Sequence, residues 1–526
     1  MRDFQLPGRS AVFASNGMCA TSHPLAAKVA VEILQAGGNA VDAAIAGAVL
    51  LGVAEPHMCG IGGDCFVLMK PAATDDVIAL NGSGRAPQSL DPDALRASGL
   101  VVMPTEGAAA ITVPGAMDAF CRMSKDWGKL DLAAVLAPAI HYAREGIPVA
   151  PRVALDWADD GGRLSGAAKE FYLLGGRVPN QGQVFRAPKQ ADVLELVAAK
   201  GRDGFYQGPV AEDMVSSLRA IGGGHTLDDF AQASSTYADP VSGNFRNHRV
   251  YEHPPNGQGA AAILLLNILA HFDLAALDPS GVARAHLEAE ATKLAMDARN
   301  RFLADPDHMA RLDHMLSADT AARLAALIDP QRAMPTPPPS AEAVHRDTIY
   351  ITVVDRDRMA VSLIYSIFHG FGAGHASSKY GILFQNRGAG FSLVPGHPNE
   401  AGGGKRPMHT IIPGMLGTGG HITMPFGVMG GQYQPTGHAR LITNLLTYGM
   451  DAQSAIDAPR CFTNATGLKL ERGYDANVAA GLAALGHKVE TSAEPLGGAQ
   501  AIVIDPENGV LQGASDPRKD GIALGY

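Results

Sequence analysis

Thr348-Ile349-Tyr350-Ile351-Thr352-Val353-Val354 is an unbroken run of strand formers, and Met359-Ala360-Val361-Ser362-Leu363-Ile364-Tyr365-Ser366 is a second. The polar Asp355-Arg356-Asp357-Arg358 between them predicts a hairpin turn. Upstream, Met334-Pro335-Thr336-Pro337-Pro338-Pro339-Ser340 suits neither a helix nor a central strand, and predicts an extended tether over 334–347. A hydroxyl residue therefore opens a buried-type strand behind a flexible leader.

Elsewhere the apolar spacing is mostly helical. Leu25, Val29 and Ile33 follow Ser22-His23-Pro24 and predict a capped helix that ends at Gly37-Gly38. Asn39 and Asp42 start a second, alanine-rich helix running to Leu51. Cys65 to Met69 reads as a strand, and the stretch from Leu130 to Asn300 as mainly helical. Within that stretch Pro138 predicts a kink or a helix boundary, and Gly208-Pro209 opens a helix toward Leu218. A long helix from His286 carries Leu287, Ala291, Leu294 and Ala295 on one face, with Glu288, Glu290 and Asp297 as solvated charges. Ile422 to Met424 reads as a strand, leading through a Gly-rich turn to a helix from about Thr436.

Length adds that 526 residues hold one large domain or two or three average ones. The 46% apolar and 18% charged composition is that of a soluble globular enzyme. A net charge of −10, with no long basic run, argues against nucleic acid or an anionic membrane as partner. Five cysteines without a CxxC pair argue against a disulfide framework or a Cys-rich zinc site. No HExxH occurs, so no catalytic metal and no cofactor are expected. The run Glu55 to Asp64 lacks GxGxxG spacing and precedes a strand, which makes it a structural turn and not a dinucleotide cradle. No apolar signal core and no membrane-length apolar run are visible, which predicts a cytoplasmic protein.

Thr348 carries the candidate chemistry. Were the chain cut after Asp347, the new α-amino group would titrate at about 7.7–8.0, the ordinary range for a chain terminus. It would then serve as general base for the hydroxyl of the same residue. Taken alone, a threonine at a strand start is also ordinary. Asp347-Thr348-Ile349-Tyr350-Ile351-Thr352-Val353-Val354-Asp355 resembles the processing site of the γ-glutamyltranspeptidase family of N-terminal-nucleophile hydrolases. Gly37-Gly38-Asn39-Ala40-Val41-Asp42-Ala43-Ala44, Glu55 to Asp64, Thr112-Val113-Pro114-Gly115, Gly497 to Ile502 and Gly513 to Arg518 resemble the same family in the same order, from Gly17 to Tyr526.

The resemblance implies an α+β fold, a four-layer αββα sandwich made as one precursor. It implies cleavage between Asp347 and Thr348 into a large subunit 1–347 and a small subunit 348–526 that together form one structural domain. A dimer of such heterodimers stays open. It implies that Thr348 is the nucleophile, that Ser366 orients it, and that Gly430 and Gly431 hold the oxyanion.

Several positions depart from the γ-glutamyl pattern. Ser83 and Gly84 stand where an Arg-Glu pair is expected, with Arg85 next in line. Phe368 replaces an amide that contacts substrate, and His409 and Thr410 replace a serine pair. Gly390 stands at the position of an ammonium-binding Asp, and Arg387 at that of a polar amide. Removing a carboxylate and adding a guanidinium inverts the pocket's preference, unless a protein acid takes Arg387. The expected substrate is a small anionic amide without an α-ammonium group, gripped by Arg387 with Arg85, His409, Thr410 and Phe368 as further contacts. Pro395 to Gly404 is short where some members carry a longer lid, so an open or differently covered pocket is expected. This pattern most resembles the oxamate amidohydrolase branch, which converts oxamate to oxalate and ammonia. Other readings are a γ-glutamyltransferase or glutathione hydrolase, a β-lactam-type acylase, and an uncleaved binding protein.

Overall fold

In the computed structural model Thr348 leads directly into the strand Ile349–Val354, which lies inside a sheet with Met18–Thr21 on one side and Ala360–Ser366 on the other. The structure describes residue 5, residues 8–335 and residues 348–526; Asp347 and the tether from Thr336 onward lie outside the described residues.

Two seven-stranded antiparallel sheets form the centre. One runs, in spatial order, Ile522–Gly525, Met18–Thr21, Ile349–Val354, Ala360–Ser366, Asp64–Lys70, Ile78–Gly82 and Thr236–Ala238. The other runs Val12–Ala14, Val510–Ser515, Gly498–Asp505, His421–Met429, Gly414–Thr418, His248–Glu252 and Val241–Phe245. In both, strands from before residue 336 interleave with strands from after residue 347. Neither half of the chain can complete a sheet alone, so the two halves share one hydrophobic core.

The sheets face each other around Tyr350. Its ring fills the space at Gly427, where an added Cβ would meet it at 2.3 Å. The Tyr350 hydroxyl is 2.7 Å from Ser362 Oγ, which donates to the Phe426 carbonyl of the opposite sheet at 3.1 Å. Helices Pro24–Gln35 and Ala40–Ala54 cover the outer face of the first sheet, and Gly259–Leu269, Val282–Phe302 and Gln434–Leu446 lie beyond the second. The result is four layers, αββα. Among the described residues no helix is long and apolar enough to cross a membrane.

Several local expectations hold. His23 accepts from the Leu25 amide at the start of Pro24–Gln35, and Asn39 with Asp42 forms a capping box on Ala40–Ala54. Every residue of Ala40–Ala54 is buried, which explains a helix built largely of alanine and lacking a polar face.

Other expectations are refined or change. The stretch read as mainly helical to Asn300 is so, but it also contains the strands Thr236–Ala238, Val241–Phe245 and His248–Glu252. These are short, interrupted by Pro240 and Gly243, and lie toward sheet edges, so they carry little period-two pattern. Of the kink or boundary expected at Pro138, the boundary is absent: Leu132–Glu145 is one helix with Pro138 inside it. The carbonyl that loses its donor there belongs to exposed Ala134, where water can replace the bond. Glu288 and Glu290 are buried and not solvated: Glu288 accepts from Arg284 at 3.0 Å and Arg440 at 2.6 Å, and Glu290 from Lys293 at 2.6 Å. Asp297 keeps a half-exposed position beside Arg301.

Candidate active site

The pairing of Ile349 with Tyr365 and of Ser366 with Asp64 sets Thr348, Ser366 and Asp64 in a row across three adjacent strands. Directly opposed residues of antiparallel strands share a face. Tyr350, two residues beyond Thr348, points into the space between the sheets, so the row points there as well. The Thr348 hydroxyl donates to Ser366 Oγ at 3.4 Å, and the Phe368 amide donates to the same oxygen at 2.9 Å. Ser366 is fully buried, which fixes the direction in which Thr348 is held.

Phe368 adopts a left-handed backbone, φ 82°, and lays its ring beneath the Arg387 guanidinium, 4.5 Å from carbon to centroid. Arg387 is wholly buried. Its Nη1 donates to Thr410 Oγ1 at 3.1 Å, while Nε and Nη2 have no hydrogen-bond partner among the described residues. No acid pairs with Arg387 among the described residues. Burial pulls its pKa down to about 9, with the charge of Asp64 opposing that shift. Each unsatisfied buried donor costs about 1–3 kcal/mol.

Asp64 is the anchor beneath this layer. Its Oδ1 accepts from the amides of Gly84 and Gly115 at 2.9 and 3.0 Å and from Gln385 Nε2 at 2.8 Å. Its Oδ2 faces His409 Nε2 at 2.7 Å. The other His409 nitrogen faces the Pro407 carbonyl at 2.9 Å and the Asn256 amide at 3.2 Å. Both ring nitrogens of His409 are thus engaged by the protein. Burial, with the nearby Arg387 charge, holds its pKa below the ordinary histidine value.

Arg85 lies apart from this buried layer. Its side chain is 40% exposed, and its guanidinium donates to the Gly404 carbonyl at 2.9 Å and pairs with Asp305 at 3.3 Å. A local acid thus takes the arginine that was a candidate for gripping substrate.

Gly430 and Gly431 follow the strand His421–Met429 with φ of 119° and 56°. A Cβ on Gly430 would come within 2.8 Å of Gly497 Cα, so the turn admits only glycine. The Gln258 amide donates to the Gly431 carbonyl at 3.0 Å and to the Thr410 carbonyl at 2.6 Å. One side chain thereby ties the glycine turn to the residue that holds Arg387. Met429 and Tyr350 share one hydrophobic cluster, which puts the glycine turn and Thr348 at the same end of the sandwich.

The acid missing at position 390 is excluded by the backbone. A Cβ on Gly390 would lie 2.6 Å from the Met408 carbonyl, and Asn399 clamps the two segments by donating to the Gly390 carbonyl at 2.6 Å and accepting from the Met408 amide at 3.0 Å. Likewise a Cβ on Gly84 would run into the Val113 carbonyl. Neither position can take an acidic side chain without the chain moving.

The structure therefore joins Thr348, Ser366, Phe368, Arg387 and Thr410 by direct contacts and links Gly431 through Gln258. Asp64, Asn256 and Gln258 belong to the same assembly, though the sequence pattern marked only turns at Glu55–Asp64 and Pro254–Gly259. Their one signal was a polar side chain inside each Gly-rich run.

Comparison with known proteins shows the family. The Gamma-glutamyltranspeptidase family model matches residues 26–526. The chain is 36% identical over 526 residues to the glutathione hydrolase-like YwrD proenzyme of Bacillus subtilis, covering 98% of this chain and 99% of that one. It is 36% identical over 530 residues to the oxamate amidohydrolase proenzyme of Klebsiella pneumoniae, covering 97% and 99%. Among solved structures, a cephalosporin acylase from Bacillus halodurans superposes with a TM-score of 0.93 at 38% identity, over 100% of this chain and 99% of the other.

Proposed function

The chain belongs to the γ-glutamyltranspeptidase family, and from that premise we propose that it is a self-cleaving amidohydrolase of a small anionic amide, with oxamate the best candidate. Cleavage before Thr348 yields the large and small subunits. The Thr348 hydroxyl then attacks the amide carbon, and its proton passes to the α-amino group of the same residue. The Gly430 and Gly431 amides hold the negative oxygen. The amino group hands its proton to the departing nitrogen, which leaves as ammonia and an acyl ester remains. Water attacks the ester, the amino group takes the proton and returns it to the threonine oxygen, and the acid departs.

The observation that carries this reading is Arg387, buried, without an acid partner among the described residues, and with two nitrogens unsatisfied. A substrate carboxylate would accept from them directly. An α-ammonium group would meet a like charge, with no carboxylate at Gly390 to receive it. The test is ammonia release by the matured protein from oxamate set against turnover of a γ-glutamyl anilide. Faster γ-glutamyl turnover overturns the substrate assignment and leaves the amidase standing.

A second reading is an acylase acting on a carboxylate-bearing side chain of a β-lactam, supported by the likeness to the cephalosporin acylase structure. Arg387 would serve that carboxylate in the same way. A glutaryl amide in the same assay separates the two.

A further inference from the structure

His286 and Glu290 lie one turn apart on the helix Val282–Phe302, and His487 reaches them from just beyond the helix Ala476–Ala484. All three are buried. His286 Nδ1 is 2.8 Å from His487 Nε2, which is 3.9 Å from Glu290 Oε1, and the three donor atoms lie within 4.8 Å of one another. A tetrahedral zinc with bonds of about 2.0–2.1 Å needs its donors about 3.3 Å apart. The imidazoles would open by about half an ångström and the carboxylate would close by a similar amount.

The surroundings match those of a metal ligand set. His286 Nε2 faces the Asp329 carbonyl at 2.8 Å, which makes Nε2 the protonated nitrogen and Nδ1 the bare one. The Met334 amide donates to Glu290 Oε2 at 2.7 Å. Lys293 Nζ sits 2.6 Å from Glu290 Oε1 and 2.8 Å from the Met334 carbonyl, a cation already against the carboxylate.

We propose that His286, Glu290 and His487 form a divalent-metal site of the zinc class, separate from the catalytic residues. On binding, the ion takes the place of the proton between the two imidazoles, His487 shifts by exchange with water to the neutral tautomer protonated at Nδ1, and Lys293 swings away from Glu290. The site has a structural purpose. Asp329 stands just before the tether and Met334 at its first position, and the Ala333 amide donates to the Leu485 carbonyl at 2.8 Å. An ion there locks that end of the upstream segment onto the core.

The test is a cobalt(II) titration of the untagged, chelator-treated, matured protein. Visible bands of a tetrahedral site that saturate at one equivalent, and a melting temperature raised by zinc, are expected. The bands should persist in Thr348→Ala, which excludes the catalytic amine, and vanish in His487→Gln. Should His487→Gln not fold, Glu290→Gln should weaken cobalt affinity by about tenfold or more. No saturation at one equivalent, or bands unchanged in every variant of the three ligands, overturns the proposal. Amide hydrolysis is not the readout, so failure here leaves the catalytic reading intact.

Discussion

The Thr348 hydroxyl donates to the Ser366 hydroxyl across two neighbouring central strands, at 3.4 Å, while the Phe368 amide holds the same serine oxygen at 2.9 Å. The position of Thr348 thus depends on a residue at the far end of its own hairpin. Removing the hydroxyl in Ser366→Ala should lower kcat by about 10²-fold and leave KM nearly unchanged, because orientation is lost and not substrate contact. Ser366→Thr should restore most of the rate. Steady-state kinetics of the matured variants checks this.

Arg387 is a liability to the fold and an asset to the site. A buried cation with two unsatisfied nitrogens destabilises the chain. Arg387→Met should therefore raise the urea midpoint, by about 0.5–2 kcal/mol of stability. It should also lower kcat/KM for an anionic amide by about 10- to 150-fold, the equivalent of one charge-assisted hydrogen bond of about 1.5–3 kcal/mol. Opposite movement of stability and activity is the signature; a loss of both would mean that the guanidinium supports the fold.

Restoring the family acid should fail. In Gly390→Asp the Cβ meets the Met408 carbonyl at 2.6 Å, in a segment clamped by Asn399. Overpacking of this kind costs about 1–3 kcal/mol. The variant should melt earlier than the parent and gain no γ-glutamyl turnover, as read by calorimetry and an anilide assay.

How far the sequence reached can be followed residue by residue. The strand after Thr348, the Gly430-Gly431 turn and the order of the family landmarks were readable because each is a local pattern of side-chain type. The exposed fate of Arg85 was not, because its partners Asp305 and Gly404 come from distant parts of the chain. Asp64 and Gln258 escaped notice for a related reason. A polar residue in a Gly-rich run looks like any turn until folding surrounds it with donors or carbonyls. Glu288 and Glu290 read as surface charges because helical spacing shows which residues share a face, but not whether a second helix covers the polar one.

Acid should weaken the fold ahead of any loss of carboxylate contacts. Burial holds His23 and His253 at pKa values of about 4. Unfolded histidine takes up its proton at about pH 6.5. Between those values the unfolded chain binds protons that the folded chain refuses, so stability falls as pH drops from about 6.5 toward 4. Two such groups give a slope of up to about 2.7 kcal/mol per pH unit within that window. Urea midpoints at stepped pH measure it, and His253→Gln should flatten the slope.

The most direct measurement is the N-terminal sequence and mass of the smaller fragment of the purified protein. The expected fragment begins at Thr348, and Thr348→Ala remains one uncut, inactive chain. A wild-type chain that stays whole yet hydrolyses amides, or a Thr348→Ala variant that still matures and turns over substrate, would contradict Thr348 as the residue that both cuts the chain and attacks the amide.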